Sequence, residues 1–64
     1  MENRITQIRE QKNMTQEELS EKSGVSRAII SGLESGRVKN TTTQTLKKIA
    51  LALDSSIAAV FFTQ

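Results

Sequence analysis

Large apolar residues recur every three or four positions in four stretches of the chain, and a fifth stretch, residues 15–24, holds only Leu19 between a capping residue and a glycine. Such spacing places the apolar side chains on one face of an α-helix. Serine, threonine or glycine stands at most of the boundaries, where these residues begin or end helices. The pattern predicts a compact all-α fold of five short helices, at residues 3–12, 15–24, 26–36, 41–53 and 56–62.

Three of the predicted helices begin at capping residues. Thr15 and Glu18 have the spacing of a capping box, in which each side chain accepts the backbone N–H of the other residue. Ser26 is the predicted N-cap of the third helix, and Thr41 with Gln44 predicts a second capping box at the start of the fourth. Capping or left-handed conformations are also expected at Asn13, Gly24, Gly36, Asp54 and Ser56.

The third helix has two faces of different chemistry. Its predicted core face consists of Val25, Ile29, Ile30 and Leu33. The opposite face carries one long side chain among small polar residues, namely Arg27, Ala28, Ser31 and Ser35. Such a face can approach a flat or grooved partner closely, and it predicts that something docks there.

The composition excludes most catalytic chemistry. The 64 residues can form one domain, expected over residues 1–64, and they include no cysteine and no histidine. Disulfides, Cys/His zinc sites and catalysis by Ser-His or Cys-His pairs are therefore excluded, so we expect no enzyme, no metal and no cofactor. The N-terminus lacks the apolar region of a signal peptide, and no apolar run approaches the roughly 18 residues of a membrane span. We expect a cytoplasmic protein without membrane contact.

Charge is distributed unevenly along the chain. Nine Lys and Arg residues against seven Asp and Glu residues give a net charge of +2 and a pI near 9.4. Residues 10–21 hold four acids and one lysine, whereas residues 22–48 hold six cations and one acid. A basic stretch beside a threonine-rich one is the usual electrostatic outline of a nucleic-acid-binding face.

Residues 16–36 combine a short helix, a glycine turn and a second helix with a particular set of residue types. The set comprises Gln16, Leu19, Ser20, Gly24, Val25, Ile30, Leu33, Glu34 and Gly36, flanked by Ile5, Ile8 and Arg9 and by residues 45–53. In this combination the chain resembles the phage-repressor, Cro and Xre-type helix-turn-helix proteins. The resemblance implies a lambda-repressor-like DNA-binding domain with its helix-turn-helix core at residues 15–36.

The function that this resemblance implies is that of a bacterial or phage transcriptional regulator. We expect a repressor that reads a palindromic operator in double-stranded DNA through the major groove, with no small-molecule effector. An antitoxin or a protein-interaction module with the same fold is the alternative.

Three features depart from the usual pattern of the family. Ser20 and Ser23 stand where the family more often has alanine and an apolar residue, and Thr41 stands where proline is common. The loop after Gly36 is about one residue longer than usual, so the register of phosphate contacts over residues 38–43 cannot be transferred from the family.

The exposed face of the third helix is expected to read base edges in the major groove. Its candidate base-reading residues are Arg27, Ala28, Ser31 and Gly32. Arg27 is expected to bind O6 and N7 of guanine, with a phosphate contact or a solvated side chain as the alternative. Ala28 and Ser31 are expected to lie against thymine methyl groups, and the alternative is that they are small residues without a contact to DNA. Gly32 either lets the backbone approach DNA closely or is a neutral surface residue.

The candidate phosphate-binding residues are Thr15, Gln16, Ser26, Ser35, Arg37, Lys39 and Asn40. Thr15 and Gln16 stand at the N-terminus of the second helix, where free backbone N–H groups and the helix dipole favour an anion. The resemblance also implies that Gln16 braces the recognition helix. For Arg37 and Lys39 the alternative is a solvated loop, and for Thr15 it is capping alone.

Two further pairings concern stability and assembly. The resemblance implies a partly buried structural ion pair between Arg9 and Glu34, on the first and third helices. On the last helix, an apolar surface faces outward and is expected to form a homodimer interface. This surface consists of Ala58, Ala59 and Phe62, and the alternative is a frayed tail with Phe62 folded back.

Overall fold

The computed structural model describes residues 3–61 and places five helices in them. In chain order these are α1 (Ile5–Gln11), α2 (Gln16–Ser23), α3 (Arg27–Ser35), α4 (Thr43–Ala52) and α5 (Ile57–Phe61). Helix α2 packs against both α3 and α4, and α5 packs against α1 and α4. The predicted all-α fold of five helices is confirmed. No helix in this described part of the chain is long and apolar enough to cross a membrane.

All five helices contribute to one hydrophobic core. Fully buried side chains come from each of them, among them Ile5, Leu19, Ile30, Ile49 and Val60. Almost every residue predicted to point inward does so, but Ile29 is 37% exposed and its assignment to the core face is wrong. Ile29 lies at the edge of the apolar arc of α3, where the packing of neighbouring helices leaves it partly uncovered.

The predicted caps of α2 and α3 are present. Thr15 Oγ1 accepts the N–H of Glu18 at 3.0 Å, and Glu18 Oε1 accepts the N–H of Thr15 at 2.9 Å. Ser26 Oγ accepts the N–H of Ile29 at 3.2 Å. Because a cap satisfies backbone N–H groups that lack partners within the helix, these bonds define where α2 and α3 begin.

The start of α4 corrects one prediction. Thr42, not Thr41, is the N-cap, and its hydroxyl accepts the N–H of Thr45 at 3.1 Å. The predicted capping box of Thr41 with Gln44 is therefore wrong. Three consecutive threonines offer the same capping chemistry, so the path of the preceding loop decides which of them is used.

Left-handed backbone ends several helices, as predicted. Asn13 and Asp54 have φ angles of 54° and 55°, and Gly24 and Gly36 have φ angles of 74° and 80°. Ser56 caps the last helix by accepting the N–H of Ala59 at 3.0 Å.

Two serines hold the turn between α2 and α3. Ser20 Oγ donates to the carbonyl oxygen of Val25 at 2.7 Å, and Ser23 Oγ accepts the N–H of Val25 at 3.1 Å. Ser23 is buried, so its hydroxyl provides an acceptor where water has little access. The two departures from the family pattern at these positions thus fix the angle between the two helices through side-chain hydrogen bonds.

The N-terminal segment forms hydrogen bonds with α3 and α5 near the C-terminal end of each helix. Asn3 Nδ2 donates to the carbonyl oxygen of Leu33 at 3.0 Å, and the N–H of Arg4 donates to the carbonyl oxygen of Val60 at 2.8 Å. These bonds satisfy carbonyl groups near the C-terminal ends of the two helices. The orientation of α3 therefore depends on residues about thirty positions away.

Candidate nucleic-acid interface

Apart from Ile29, which is partly uncovered at the edge of the core face, the exposed residues of α3 are small side chains and one arginine. Arg27, Ala28 and Ser35 are exposed and Ser31 is half-buried, while Ile30 and Leu33 hold the other face in the core. An α-helix fits the major groove of B-DNA, and a face without bulky side chains can enter it deeply. The structure thus brings three of the four predicted base-reading residues onto one accessible surface.

Gly32 does not belong to that surface. It is buried, and a Cβ atom placed on it would overlap Cγ2 of Val38 and lie 3.1 Å from Cβ of Val38. The prediction that Gly32 lets the backbone approach DNA is therefore wrong, because the loop after α3 already occupies the adjacent space. Sequence spacing alone gives no sign that a residue six positions later folds back over the helix.

The N-terminus of α2 carries Thr15 and Gln16, the first two predicted phosphate-binding residues. In the capping box the Thr15 hydroxyl oxygen accepts the N–H of Glu18, whereas its O–H remains able to donate. Gln16 Nε2 donates to Glu34 Oε1 at 3.2 Å, which joins α2 to α3. The Gln16 side chain therefore contacts α3 directly.

Glu34 is the centre of a hydrogen-bond network. Its Oε2 accepts Nε of Arg9 at 2.9 Å, and its Oε1 accepts Nη2 of Arg9 at 3.1 Å, so the ion pair is bidentate. The hydroxyl of Thr6 donates to the same Oε1 at 2.8 Å, and Nη1 of Arg9 donates to the carbonyl oxygen of Met14 at 2.7 Å. The structure thus brings Arg9 and Glu34 together, with a side-chain exposure of 13% and 8%.

This network sets the ionisation of both partners. Burial raises the pKa of the Glu34 carboxyl, but the hydrogen bonds from Arg9, Thr6 and Gln16 outweigh it, so the pKa lies below its ordinary value. The hydrogen bond to Glu34 raises the pKa of Arg9 against the opposing effect of burial. Both groups are therefore charged at neutral pH.

The remaining predicted phosphate-binding residues lie at the last residue of α3 and just before and after the helix. Ser26, Arg37, Lys39 and Asn40 are exposed. The Ser35 hydroxyl donates to the carbonyl oxygen of Gly32 at 3.2 Å and accepts the N–H of Arg37 at 3.4 Å. In the free protein Ser35 thus uses its hydroxyl proton to shape the loop.

The predicted dimer surface on α5 is exposed at Ala58 and Ala59, while Phe62 lies outside the described residues. Sequence reasoning did not single out Leu51 on α4, which is 75% exposed. It also did not single out Asn3 and Thr6, whose contacts with α3 span 30 and 28 positions. The sequence does not show whether one apolar side chain such as Leu51 will be exposed, because its burial depends on which helices pack around it.

Comparison with known proteins agrees with this geometry. A family model described as helix-turn-helix matches residues 5–60. Two curated relatives, both named HTH-type transcriptional regulator SinR, come from Bacillus subtilis (strain 168) and Bacillus licheniformis. Each is 37% identical over 54 residues, which cover 84% of this chain and 49% of the relative. The chain thus spans about half the length of the curated relatives it matches.

Proposed function

Because this chain belongs to the helix-turn-helix family, we propose that it is a transcriptional regulator that binds double-stranded DNA in a sequence-specific manner. The observation that carries this proposal is the exposed, small-residue face of α3, with Arg27 at its N-terminal end. The names of the two relatives, which describe transcriptional regulators, support it.

Base reading is assigned to three residues of α3. Arg27 carries five N–H donors in a planar fork and can bind O6 and N7 of a guanine at once, a contact worth about 1–3 kcal/mol of discrimination. Ala28 and Ser31 are small enough to lie against thymine methyl groups. These assignments agree with the position of all three side chains at or near the surface of α3.

Phosphate binding is assigned to the start of α2 and to the two ends of α3. Thr15 and Gln16 stand at the start of α2, where the helix dipole favours an anion. The candidates at or beyond the ends of α3 are Ser26, Ser35, Arg37, Lys39 and Asn40. The Glu34 network supports these assignments because it holds α1, α2 and α3 in one fixed arrangement before DNA arrives.

Assembly as a homodimer on a palindromic operator is also part of the proposal. Two copies related by a two-fold axis would place their recognition helices about 34 Å apart, one turn of B-DNA. The exposed apolar residues Leu51, Ala58 and Ala59 support an interface at α4 and α5. We propose repression as the regulatory effect, because a dimer bound over a promoter excludes other proteins by occupancy alone.

Selection of binding sites from a random pool of double-stranded DNA tests the function. A conserved two-fold-symmetric sequence is the expected result, with an affinity that falls steeply as salt rises. Enrichment of no sequence, together with weak binding of all DNA alike, would overturn the proposal. That result would favour the alternative function, in which the same fold binds another protein, as in an antitoxin.

A further inference from the structure

The loop after α3 folds back onto the recognition helix. Gly36 adopts a left-handed conformation with φ of 80°, which reverses the chain. The N–H of Val38 then donates to the carbonyl oxygen of Gly32 at 2.9 Å, while the Ser35 hydroxyl bridges Gly32 and Arg37. Three hydrogen bonds thus fix Arg37 and Val38 relative to the last turns of α3.

Val38 occupies the space that a side chain at position 32 would fill. A Cβ on Gly32 would overlap Val38 Cγ2, and Arg37 Nη2 lies 3.8 Å from the same point. Gly32 is one helical turn after Ala28, so its missing side chain would have pointed beside Ala28 along the exposed face. The isopropyl group of Val38 therefore lies at the border of the proposed base-reading surface.

The side chain of Val38 is half-buried. Part of it packs against the hydrophobic core, which anchors the loop, and the rest remains accessible. A β-branched side chain has few rotamers, so the accessible methyl group is held in one direction. A rigid methyl group next to a groove-binding helix can discriminate shape without a hydrogen bond.

We propose that Val38 is a specificity-determining residue that contacts the C5-methyl group of a thymine in the major groove. The proposal rests on the function proposed above and adds to it a base-reading residue outside α3. Thymine is the base with a methyl group on the major-groove edge, so an apolar side chain there distinguishes it from the other three. Gly32 is then required because any larger residue would displace Val38.

The test replaces single thymines of the selected site by deoxyuridine, which removes only the C5-methyl group. Affinities are measured for the wild-type protein, Val38→Ala and Val38→Thr, with the fold of each checked by circular dichroism. At one thymine per half-site, the wild type should lose about four-fold in affinity on replacement, as expected for one buried methyl group. For Val38→Ala, replacement of that thymine by deoxyuridine should leave the affinity unchanged. At all other thymines the replacement should change the affinity of Val38→Ala as it changes that of the wild type.

Lys39→Gln is the matched control in the same loop. It should weaken binding to every site and leave the deoxyuridine effect unchanged, because a phosphate contact carries no base information. If Val38→Ala and Val38→Thr both keep the full loss at every thymine, Val38 only anchors the loop and the proposal is wrong. If the selection yields no preferred sequence, the proposed function fails as well, which separates the two outcomes.

Discussion

Glu34 on α3 and Arg9 on α1 form a bidentate ion pair, with Nε and Oε2 2.9 Å apart and Nη2 and Oε1 3.1 Å apart. The carboxylate also accepts hydrogen bonds from Thr6 on α1 and Gln16 on α2. One side chain therefore connects three helices near the C-terminal end of α3. A buried ion pair adds little net stability over an apolar replacement, but loss of one partner leaves an unpaired charge.

We predict that Arg9→Met destabilises the protein by about 3–5 kcal/mol, because the Glu34 carboxylate loses its countercharge in a site that solvent barely reaches. Urea unfolding followed by circular dichroism measures the change. The double variant Arg9→Met/Glu34→Leu should recover most of the loss. A double variant as unstable as Arg9→Met alone would show that packing, not charge, explains the effect.

Acid should destabilise the protein through Glu34. Its pKa is lower in the folded state than the ordinary value of 4.5 that it regains on unfolding. The unfolded chain thus takes up the proton first, so the stability contributed by ionised Glu34 is complete above about pH 4.5 and is lost as pH falls through the folded pKa. Urea unfolding across this pH range should show a smaller acid loss in Glu34→Gln than in the wild type. Equal acid loss in both proteins would contradict this assignment.

Gly32→Ala should destabilise the protein by about 1 kcal/mol, although alanine is the better helix former. The gain in helix propensity is about 1 kcal/mol, whereas overpacking costs typically 1–3 kcal/mol. Overpacking is expected because the new Cβ meets the stiff side chain of Val38. Ser31→Ala, one position earlier in α3, is the control and should be neutral or stabilising in the same urea titration. Equal stability gains for both variants would mean that Val38 moves away freely.

Arg27→Ala should relax specificity at one base pair of each half-site, with a loss of about 1–3 kcal/mol of discrimination. Lys39→Ala should instead weaken binding to all DNA sequences alike. It should also reduce the slope of log affinity against log salt concentration by about one, as expected for the loss of one phosphate contact. Binding measurements on the selected site and on single-base variants of it, at several salt concentrations, separate these effects. A uniform weakening by both variants would exclude Arg27 from base reading.

Leu51→Glu should weaken dimerisation without unfolding the protein, since Leu51 is 75% exposed in the free chain. A charge placed in an apolar interface loses its hydration and has no partner there. Sedimentation equilibrium at tens of micromolar protein measures the effect. Gln11→Glu, which adds the same charge at an exposed position on α1, should leave the dimer intact. A wild-type protein that stays monomeric even on its operator would contradict the dimer proposal.

Several features follow from short-range chemistry and were readable from residue order. The capping box at Thr15, the cap at Ser26 and the left-handed residue at Asn13 involve partners within four positions. Apolar periodicity predicted four of the five helices and nearly the whole core, and the capping box and Gly24 predicted the helix between them. Such interactions depend on residues that are always near each other, so the local sequence specifies them before any tertiary packing forms.

Other features depended on contacts between distant residues. Val38 covers Gly32, neighbouring helices leave Ile29 exposed, and Asn3 reaches Leu33 across 30 positions. The amino-acid sequence is compatible with many such contacts, and the packing of the helices determines which of them form. For this reason the amino-acid sequence specified the helices and the proposed DNA-reading face, whereas three-dimensional packing placed Val38 rather than Gly32 at its border.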